Sequence, residues 1–301
     1  MQAYIRYTKF VLVFVFVVIL AGGLVRMTQS GMGCPDWPTC FGKWIPPTNA
    51  NQLPPDFEKY LKQQDIDHTF NVYHTWIEYL NRLAGALLGL FILVHVVYSF
   101  KLFFRNRPSI FWWSLGLLLL TGFQGWLGKK VVDHNLAVVK ITIHMLVAIV
   151  IAAIPLVIIH LVQQQQKVKN STLKVITTLA LFLVLIQIIL GTEVREQIDI
   201  ISKELLYTNR FLWIAKLDGY FTIHKLFSII VSGICIYIFF NALSAKSLHK
   251  PAFWVLFTVL GSVMLGLLMA YNNIPAFAQP THLLLSSVLV TALLGLRLNV
   301  K

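Results

Sequence analysis

The fold is decided by the segment HTWIEYLNRLAG, residues 74–85, which opens a run that stays apolar to about residue 100. This segment places a carboxylate, an amide and a guanidinium on the first turns of a predicted helix. Glu78, Asn81 and Arg82 are spaced i, i+3 and i+4, so they share one face of that helix. An ionisable group inside a bilayer costs about 2.5 kcal/mol or more and is retained mainly where it faces a cavity or a partner. The segment therefore predicts a polar site within a membrane, around which the other helices are arranged.

The composition predicts a polytopic membrane protein. Of 301 residues 57% are hydrophobic and only 12% are charged, and the mean hydropathy is +0.72. A soluble domain of this size is far less apolar. Because a span needs roughly 17 to 25 apolar residues, we expect an all-α fold with eight transmembrane helices. These spans are expected at about 8–25, 77–100, 110–128, 138–162, 173–192, 218–242, 252–271 and 278–298.

The net charge of +13 is explained by membrane topology rather than by nucleic-acid binding. With eight spans and the N-terminus inside, the inside segments carry basic residues and no acidic ones, and all twelve Asp and Glu fall on the other side. This pattern obeys the positive-inside rule. We therefore expect both termini in the cytoplasm. The inside basic residues are Arg6, Lys9, Lys101, Arg105, Arg107, Lys167, Lys169, Lys174, Lys246, Lys250, Arg297 and Lys301.

The first outside loop, residues 27–75, carries two of the three cysteines, Cys34 and Cys40. The outside compartment is oxidising, so we expect these two to pair. A structural staple and a redox-active dithiol both remain open. A loop of this length is uncommon in a compact protein unless it covers something. Its tryptophans are compatible with a lid over the membrane site or with an anchor at the membrane interface.

Spans 1 to 4 and 5 to 8 look like two copies of one four-helix unit. Gly128 in the third span stands sixteen residues before His144, and Gly266 in the seventh stands sixteen residues before His282. The ends of the first and fifth spans also match, LAGGLVRMT (20–28) against LGTEVRE (190–196). Since four spans return the chain to its starting side, the copies are predicted to run parallel, related by an axis along the membrane normal.

Three histidines lie one to two turns inside the predicted outer ends of even-numbered spans: His144, His224 and His282. Asn81 occupies the same depth in span 2. Two imidazoles from facing helices, with no carboxylate nearby, suit the axial ligation of haem iron better than zinc, which needs three or four ligands. We therefore expect His224 and His282 to hold a b-type haem in a C-terminal half, residues 166–301. Hydrogen-bonded packing is the alternative for each histidine.

The N-terminal half, residues 1–165, differs from this pattern in two ways. It has Asn81 where a second histidine is expected, and Glu78 where the other copy has Phe221. Asparagine is a poor iron ligand, so a haem held by His144 alone keeps an open position beside a carboxylate, which is typical of a catalyst. The alternative for Glu78 is an ion pair with the residue at i+4. Six cations near the outer surface are candidate partners of haem propionates: Arg26, Arg82, Arg195, Lys129, Lys130 and Lys225.

These residues together resemble the haem A synthase family over essentially the whole chain. The matching pieces are GGLVRMT (22–28), SG (30–31), CPDWP (34–38), WIEYLNRL (76–83), GWLG (125–128), HML (144–146), HK (224–225) and THL (281–283). The resemblance implies two four-helix halves, with a haem b cofactor in the C-terminal half and haem O as the substrate in the N-terminal half. The C8 methyl group of haem O would be oxidised to a formyl group by successive hydroxylations, which gives haem A for cytochrome oxidase.

The resemblance also implies a role for each site residue. Glu78 is the catalytic carboxylate, and His144 is the ligand of the substrate haem iron. The iron of haem b is ligated by His224 and His282. Three further residues are expected to contact the haem groups: Asn81, Arg82 and Lys225. Cys34 and Cys40 are expected to form a disulfide in the first loop. The departure from the family is Asn81, where members commonly carry a histidine.

The protein is expected in the cytoplasmic (inner) membrane of a bacterium. Haem O synthase and an electron acceptor are its expected partners, and no nucleic acid is expected to bind. A non-enzymatic bis-histidine electron carrier, or a haem-binding assembly factor, is the alternative function, and it has no need of Glu78. A transporter with parallel repeats is a third alternative. It predicts a broken helix near the midplane, and Pro155 is the main interruption found there.

Overall fold

The computed structural model describes residues 1–61, 70–133, 138–164 and 166–301. In these residues the chain forms ten α-helices and three short 3-10 helices, and no strand. The helices are α1 (Gln2–Met27), α2 (Glu58–Leu61), α3 (Val72–Phe103), α4 (Pro108–Asp133), α5 (Val138–Gln163), α6 (Ser171–Glu204), α7 (Arg210–Ala215), α8 (Gly219–Ala242), α9 (His249–Tyr271) and α10 (Ala278–Leu298).

Eight of the helices in the described part of the chain are long and apolar enough to cross a membrane, all except α2 and α7. The predicted all-α fold with eight spans is confirmed. Several helix ends differ from the predicted ones, and the differences at the start of α3 and the end of α6 have local causes.

Helix α3 begins at Val72 instead of residue 77, because Asn71 caps it. The Asn71 side chain accepts hydrogen bonds from the backbone N–H groups of Tyr73 and His74, at 3.0 and 3.3 Å. An asparagine at this position satisfies two of the N–H groups that a helix start leaves without a partner. The helix therefore includes a polar first turn that precedes the apolar run, and a prediction from hydropathy finds only the apolar run.

Helix α6 continues to Glu204, well past the predicted end at residue 192. This last part is amphipathic rather than uniformly apolar, so hydropathy does not detect it. Its Ile198 and Ile201 pack into a buried cluster with Trp213 and Ile274. Burial of this apolar face stabilises the helix beyond the end of the apolar run.

The chain divides into two compact units, Met1–Pro155 and Leu156–Lys301. In the first unit α3 packs against α1 and α4. In the second the four long helices pack in a closed ring, in the order α6, α8, α9, α10. The parallel repeat and the functional halves 1–165 and 166–301 stay predictions.

A buried polar cluster joins the helices of the first unit near the start of α1. His95 on α3 is completely buried, and the ring of Tyr4 stacks on its imidazole at 4.9 Å between centroids. Thr8 Oγ1 lies 3.0 Å from His95 Nε2. The hydroxyl of Tyr4 lies 3.2 Å from Ser114 Oγ on α4. Hydrogen bonds among buried groups of three helices fix the register of α1, α3 and α4.

Candidate functional site

In the second unit each predicted ligand histidine packs against a glycine of the neighbouring helix. A Cβ atom added to Gly191 on α6 would lie 3.1 Å from Cε1 of His224, too close for ordinary van der Waals contact. A Cβ atom added to Gly266 on α9 would lie 3.8 Å from Cε1 of His282. His224 lies on α8 and His282 on α10, two helices of the ring in which α6, α8, α9 and α10 pack. A side chain in place of Gly191 would compete with the imidazole of His224 for its space, whereas a Cβ atom at Gly266 would make ordinary van der Waals contact with His282.

The first unit contains the same type of contact. A Cβ atom added to Gly128 on α4 would lie 3.4 Å from Cε1 of His144. The side chain of Asn81 takes the corresponding place beside Gly22 on α1, with Oδ1 at 4.0 Å from an added Cβ atom. These glycines were noticed in the sequence as markers of the repeat. The structure adds that they make room for the side chains at the four predicted haem-facing positions.

The three imidazoles share one hydrogen-bonding feature. Nδ1 of His144, of His224 and of His282 is buried and has no hydrogen-bond partner among the described residues. Nδ1 of His95, which packs on Tyr4, is also buried without a partner, so this feature alone does not distinguish a ligand from a packing histidine. No group of three or more His, Cys, Asp or Glu in the described residues is arranged to hold a metal ion. Isolated or paired imidazoles of this kind fit haem iron, whose equatorial ligands come from the porphyrin.

Two glutamines beside the histidines were missed by the sequence reasoning. Gln124 on α4 donates from Nε2 to the backbone oxygen of His144 at 2.8 Å. Gln187 on α6 donates to the backbone oxygen of His224 at 3.0 Å, and its Nε2 lies 3.4 Å from that imidazole's Nε2. Oε1 of each glutamine is buried without a partner in the described structure. The available signal was an isolated amide in an apolar span, which is costly unless it has a function or a partner.

Glu78 is buried on the second turn of α3, with 5% of its surface exposed. Arg82 donates from Nε to Glu78 Oε1 at 2.9 Å, so the ion pair that was the alternative explanation of this carboxylate does form. Asn81 lies one turn after Glu78 and directly before Arg82 on the same helix. A carboxylate at this depth therefore has one fixed cationic partner and is otherwise removed from water.

Arg82 also contacts the first loop through its remaining nitrogens. Nη1 donates to the backbone oxygens of Asp36 and Thr39, at 2.5 and 3.3 Å, and Nη2 donates to that of Cys34 at 2.7 Å. Together with the bond to Glu78, these contacts use four of the five N–H groups of the guanidinium. The predicted contact between Arg82 and a haem propionate stays a prediction.

Cys34 and Cys40 form a disulfide, with sulfur atoms 2.07 Å apart, as predicted. The two half-cystines and Phe41 form a small buried core, against which Tyr60 and Tyr79 pack. The Asp36 carboxylate accepts from the backbone N–H groups of Phe41 and Gly42 at 2.6 and 2.9 Å. This part of the loop is therefore an ordered, internally bonded structure.

The disulfide loop lies directly against the first turn of α3. Thr75 Oγ1 donates to the backbone oxygen of Gly33 at 2.9 Å. A Cβ atom added to Gly33 would lie 2.2 Å from the backbone oxygen of His74, so only glycine fits there. Farther along the loop, Trp76 Nε1 donates to the backbone oxygen of Pro47 at 3.2 Å. The predicted loop thus packs on α3 one turn before Glu78, and its residues 62–69 lie outside the described residues.

Two of the other predicted cations have partners in the second unit. Lys225 Nζ lies over the ring of Phe221, 4.5 Å from its centroid, in a cation–π contact. Arg195 forms an ion pair with Asp199 at 2.7 Å. Their contacts with haem propionates stay predictions.

Comparison with known proteins gives one family for nearly the whole chain. The family model described as "Cytochrome oxidase assembly protein" matches residues 5–294. Among curated proteins, the chain is similar to the Heme A synthase of Shewanella oneidensis, 28% identical over 187 residues, 61% of this chain and 54% of that relative. It is 29% identical over 206 residues to the Heme A synthase of Pelagibacter ubique, 62% of this chain and 60% of the relative. The Heme A synthase of Brucella ovis is 29% identical over 204 residues, which are 62% of this chain and 56% of that relative. The matched region therefore spans 54 to 60% of the length of these relatives.

Proposed function

The chain belongs to the cytochrome oxidase assembly protein family, and on that premise we propose that it is a haem A synthase. The resemblance to haem A synthases inferred from the sequence is confirmed by the family match and by the names of the curated relatives. The proposed reaction is the oxidation of the C8 methyl group of haem O to a formyl group by successive hydroxylations.

The observation that carries this proposal is the buried carboxylate of Glu78 on a helix that can span a membrane. An electron carrier needs histidine ligands and has no use for a buried acid. Ionisable groups inside a membrane are paired, as Glu78 is with Arg82, and they mark substrate sites and proton relays. The same helix turn carries Asn81, and His144 belongs to the same compact unit.

Each residue has a role in this proposal. His144 binds the substrate haem iron in residues 1–165, and His224 with His282 binds haem b in residues 166–301. When bound, the haem groups supply the redox chemistry and the substrate methyl group. Glu78 accepts and returns protons at its carboxylate oxygens, which general acid–base catalysis requires of a group placed beside the reacting centre. Arg82 binds near the substrate haem on this proposal, and Lys225 binds near the second haem.

Asn81 makes the two haem sites unequal. An amide is a poor iron ligand, so the face of the substrate haem opposite His144 lacks a nitrogen ligand. In the second unit His224 and His282 would hold haem b, and two imidazole ligands would supply a site suited to electron transfer. The side chain of Asn81 remains available there as a hydrogen-bond donor or acceptor.

The proposed setting follows from the charge pattern. The basic inside segments place both termini in the cytoplasm of a bacterium, with the disulfide on the oxidising side of its cytoplasmic membrane. Haem O synthase supplies the substrate on this proposal, and an electron acceptor is the redox partner.

The test is a haem analysis of the purified protein, expressed in a host that makes haem O. We expect the pyridine haemochrome spectrum to show haem b, with haem O and haem A in the extract. Glu78→Gln, which keeps the size of the side chain, is expected to retain haem b and accumulate haem O. Unchanged haem A formation in this variant would favour the electron carrier, and a haem-free protein would contradict both functions.

A further inference from the structure

We propose that Arg82 is a positioning residue that couples the Cys34–Cys40 loop to the carboxylate of Glu78. The loop fixes the guanidinium, and the guanidinium fixes the carboxylate. The activity part of this inference rests on the proposed function. Its structural part concerns this chain alone and has a separate test.

The first step is the geometry of the guanidinium. Its N–H groups point in fixed directions within one plane, so satisfying several of them at once determines the orientation of the whole group. Nε donates to Glu78 Oε1, while Nη1 and Nη2 donate to three backbone oxygens of the loop. Reorienting the Glu78 carboxylate therefore requires breaking a charge-assisted hydrogen bond.

The second step is the origin of the three oxygen acceptors. They belong to Cys34, Asp36 and Thr39, and all three lie within the short ring that the Cys34–Cys40 disulfide closes. The carboxylate of Asp36 is itself bonded to backbone N–H groups beyond the ring. The covalent ring thus holds the acceptors together as one surface for the guanidinium.

The third step is the attachment of this ring to the helix that carries Glu78. The backbone of Gly33, next to the ring, touches the backbone of His74 and accepts from Thr75 Oγ1. The ring is therefore fixed to α3 at two levels, one turn before Glu78 and one turn after it. Arg82 provides the second of these attachments and also contacts the carboxylate.

Two explanations of Arg82 are separated by the lysine variant. If Arg82 only compensates the charge of Glu78, R82K keeps the function, because lysine keeps the charge. If Arg82 positions Glu78, R82K fails almost as R82Q does, because an ammonium group cannot reproduce the planar set of four bonds. A charge-assisted hydrogen bond of this kind corresponds to a change of about tenfold or more in rate.

The activity experiment compares R82K, R82Q, the double variant C34S/C40S and the triple variant R82K/C34S/C40S in haem O conversion by the holoenzyme. We expect kcat to fall about tenfold in R82K and in C34S/C40S with little change in KM. The triple variant is expected to be no slower than R82K, because both changes break the same connection. The control is R297Q, since Arg297 also donates to a side-chain oxygen, Thr178 Oγ1, and to a backbone oxygen, that of Val300, near the C-terminus. It should keep the wild-type kcat.

The second experiment measures Glu78 without haem turnover. Apolar carbodiimides add to protonated carboxyl groups, so a carboxylate held by a guanidinium reacts slowly. We expect labelling of Glu78, read by mass spectrometry, to be about tenfold faster in R82Q and clearly faster in C34S/C40S than in the wild type and R297Q. If C34S/C40S does not fold, the folded wild type treated with a phosphine reductant replaces it.

Equal labelling in all proteins, or full activity of R82K, would overturn the inference. A wild type that labels as expected but does not convert haem O would contradict the proposed function alone. A wild type that converts haem O, with independent, multiplying effects of R82K and C34S/C40S, would contradict the coupling alone.

Discussion

Gly191 on α6 faces the imidazole of His224 so closely that an added Cβ atom would lie 3.1 Å from Cε1. The glycine is there because the ring needs its space, and similar pairs occur for His144 and His282. These glycines lie on the third, fifth and seventh spans, and the predicted haem ligands lie on the even-numbered spans. Enlarging such a glycine is therefore predicted to disturb the haem site on the neighbouring helix.

The first prediction concerns this contact. Gly191→Ala should displace the His224 ring and lower the haem b content, with an overpacking cost of about 1–3 kcal/mol. The measurement is the haem b to protein ratio of the purified variant, together with its thermal unfolding.

The control is Gly233→Ala on α8, where no atom lies within 4 Å of an added Cβ atom. Alanine has a higher helix propensity than glycine, so this variant should keep its haem and be as stable as the wild type or more stable. Equal haem content in both variants would contradict the role given to Gly191.

A second prediction separates ligand histidines from a packing histidine. His282→Ala should abolish the low-spin spectrum of haem b, because the iron loses one of its two axial ligands. His95→Ala removes a completely buried imidazole that stacks on Tyr4 and lies 3.0 Å from Thr8 Oγ1. We expect this variant to melt at a lower temperature and to keep the haem b spectrum, as recorded by absorption and electron paramagnetic resonance. Retention of that spectrum in His282→Ala would exclude the proposed ligation.

The third prediction concerns Asn81. If it leaves one face of the substrate haem without a ligand, Asn81→His should add a second axial nitrogen and change that haem from high spin to low spin. The side chain at position 81 lies beside Gly22, with Oδ1 4.0 Å from an added Cβ atom, so an imidazole there would face a residue without a side chain. Asn81→Ala is the control and should keep the high-spin signal. A wild-type protein loaded with haem O that is already fully low spin would contradict the open face.

The sequence predicts most of this fold because hydropathy directly reports which segments can be surrounded by lipid. The ends of α3 and α6 were less predictable. A capping side chain at Asn71 and the burial of Ile198 and Ile201 extend these helices, and neither effect is part of hydropathy.

The candidate site was predictable only where spacing along a helix determines proximity. Glu78 and Arg82 meet because residues at i and i+4 are neighbours on a helix. The three loop oxygens bonded to Arg82 come from residues more than forty positions away in the chain. No local pattern reports such contacts, because they depend on how the loop folds back on α3. The contact between Gln187 and His224 was missed for the same reason.

The last prediction tests whether the docking of the first loop matters for the reaction. Gly33→Ala leaves Glu78, Arg82 and both cysteines in place, but its Cβ atom would meet the backbone oxygen of His74 at 2.2 Å. Backbone cannot move aside as a flexible side chain does, so the loop must shift away from α3. We expect haem A formation to fall and protease cleavage within residues 33–61 to become faster, measured in membranes under identical conditions. Gly89→Ala on α3, where an added Cβ atom meets nothing within 4 Å, is the control and should behave as the wild type. If Gly33→Ala forms haem A at the wild-type rate while its loop is cleaved faster, the loop protects the site without positioning the carboxylate.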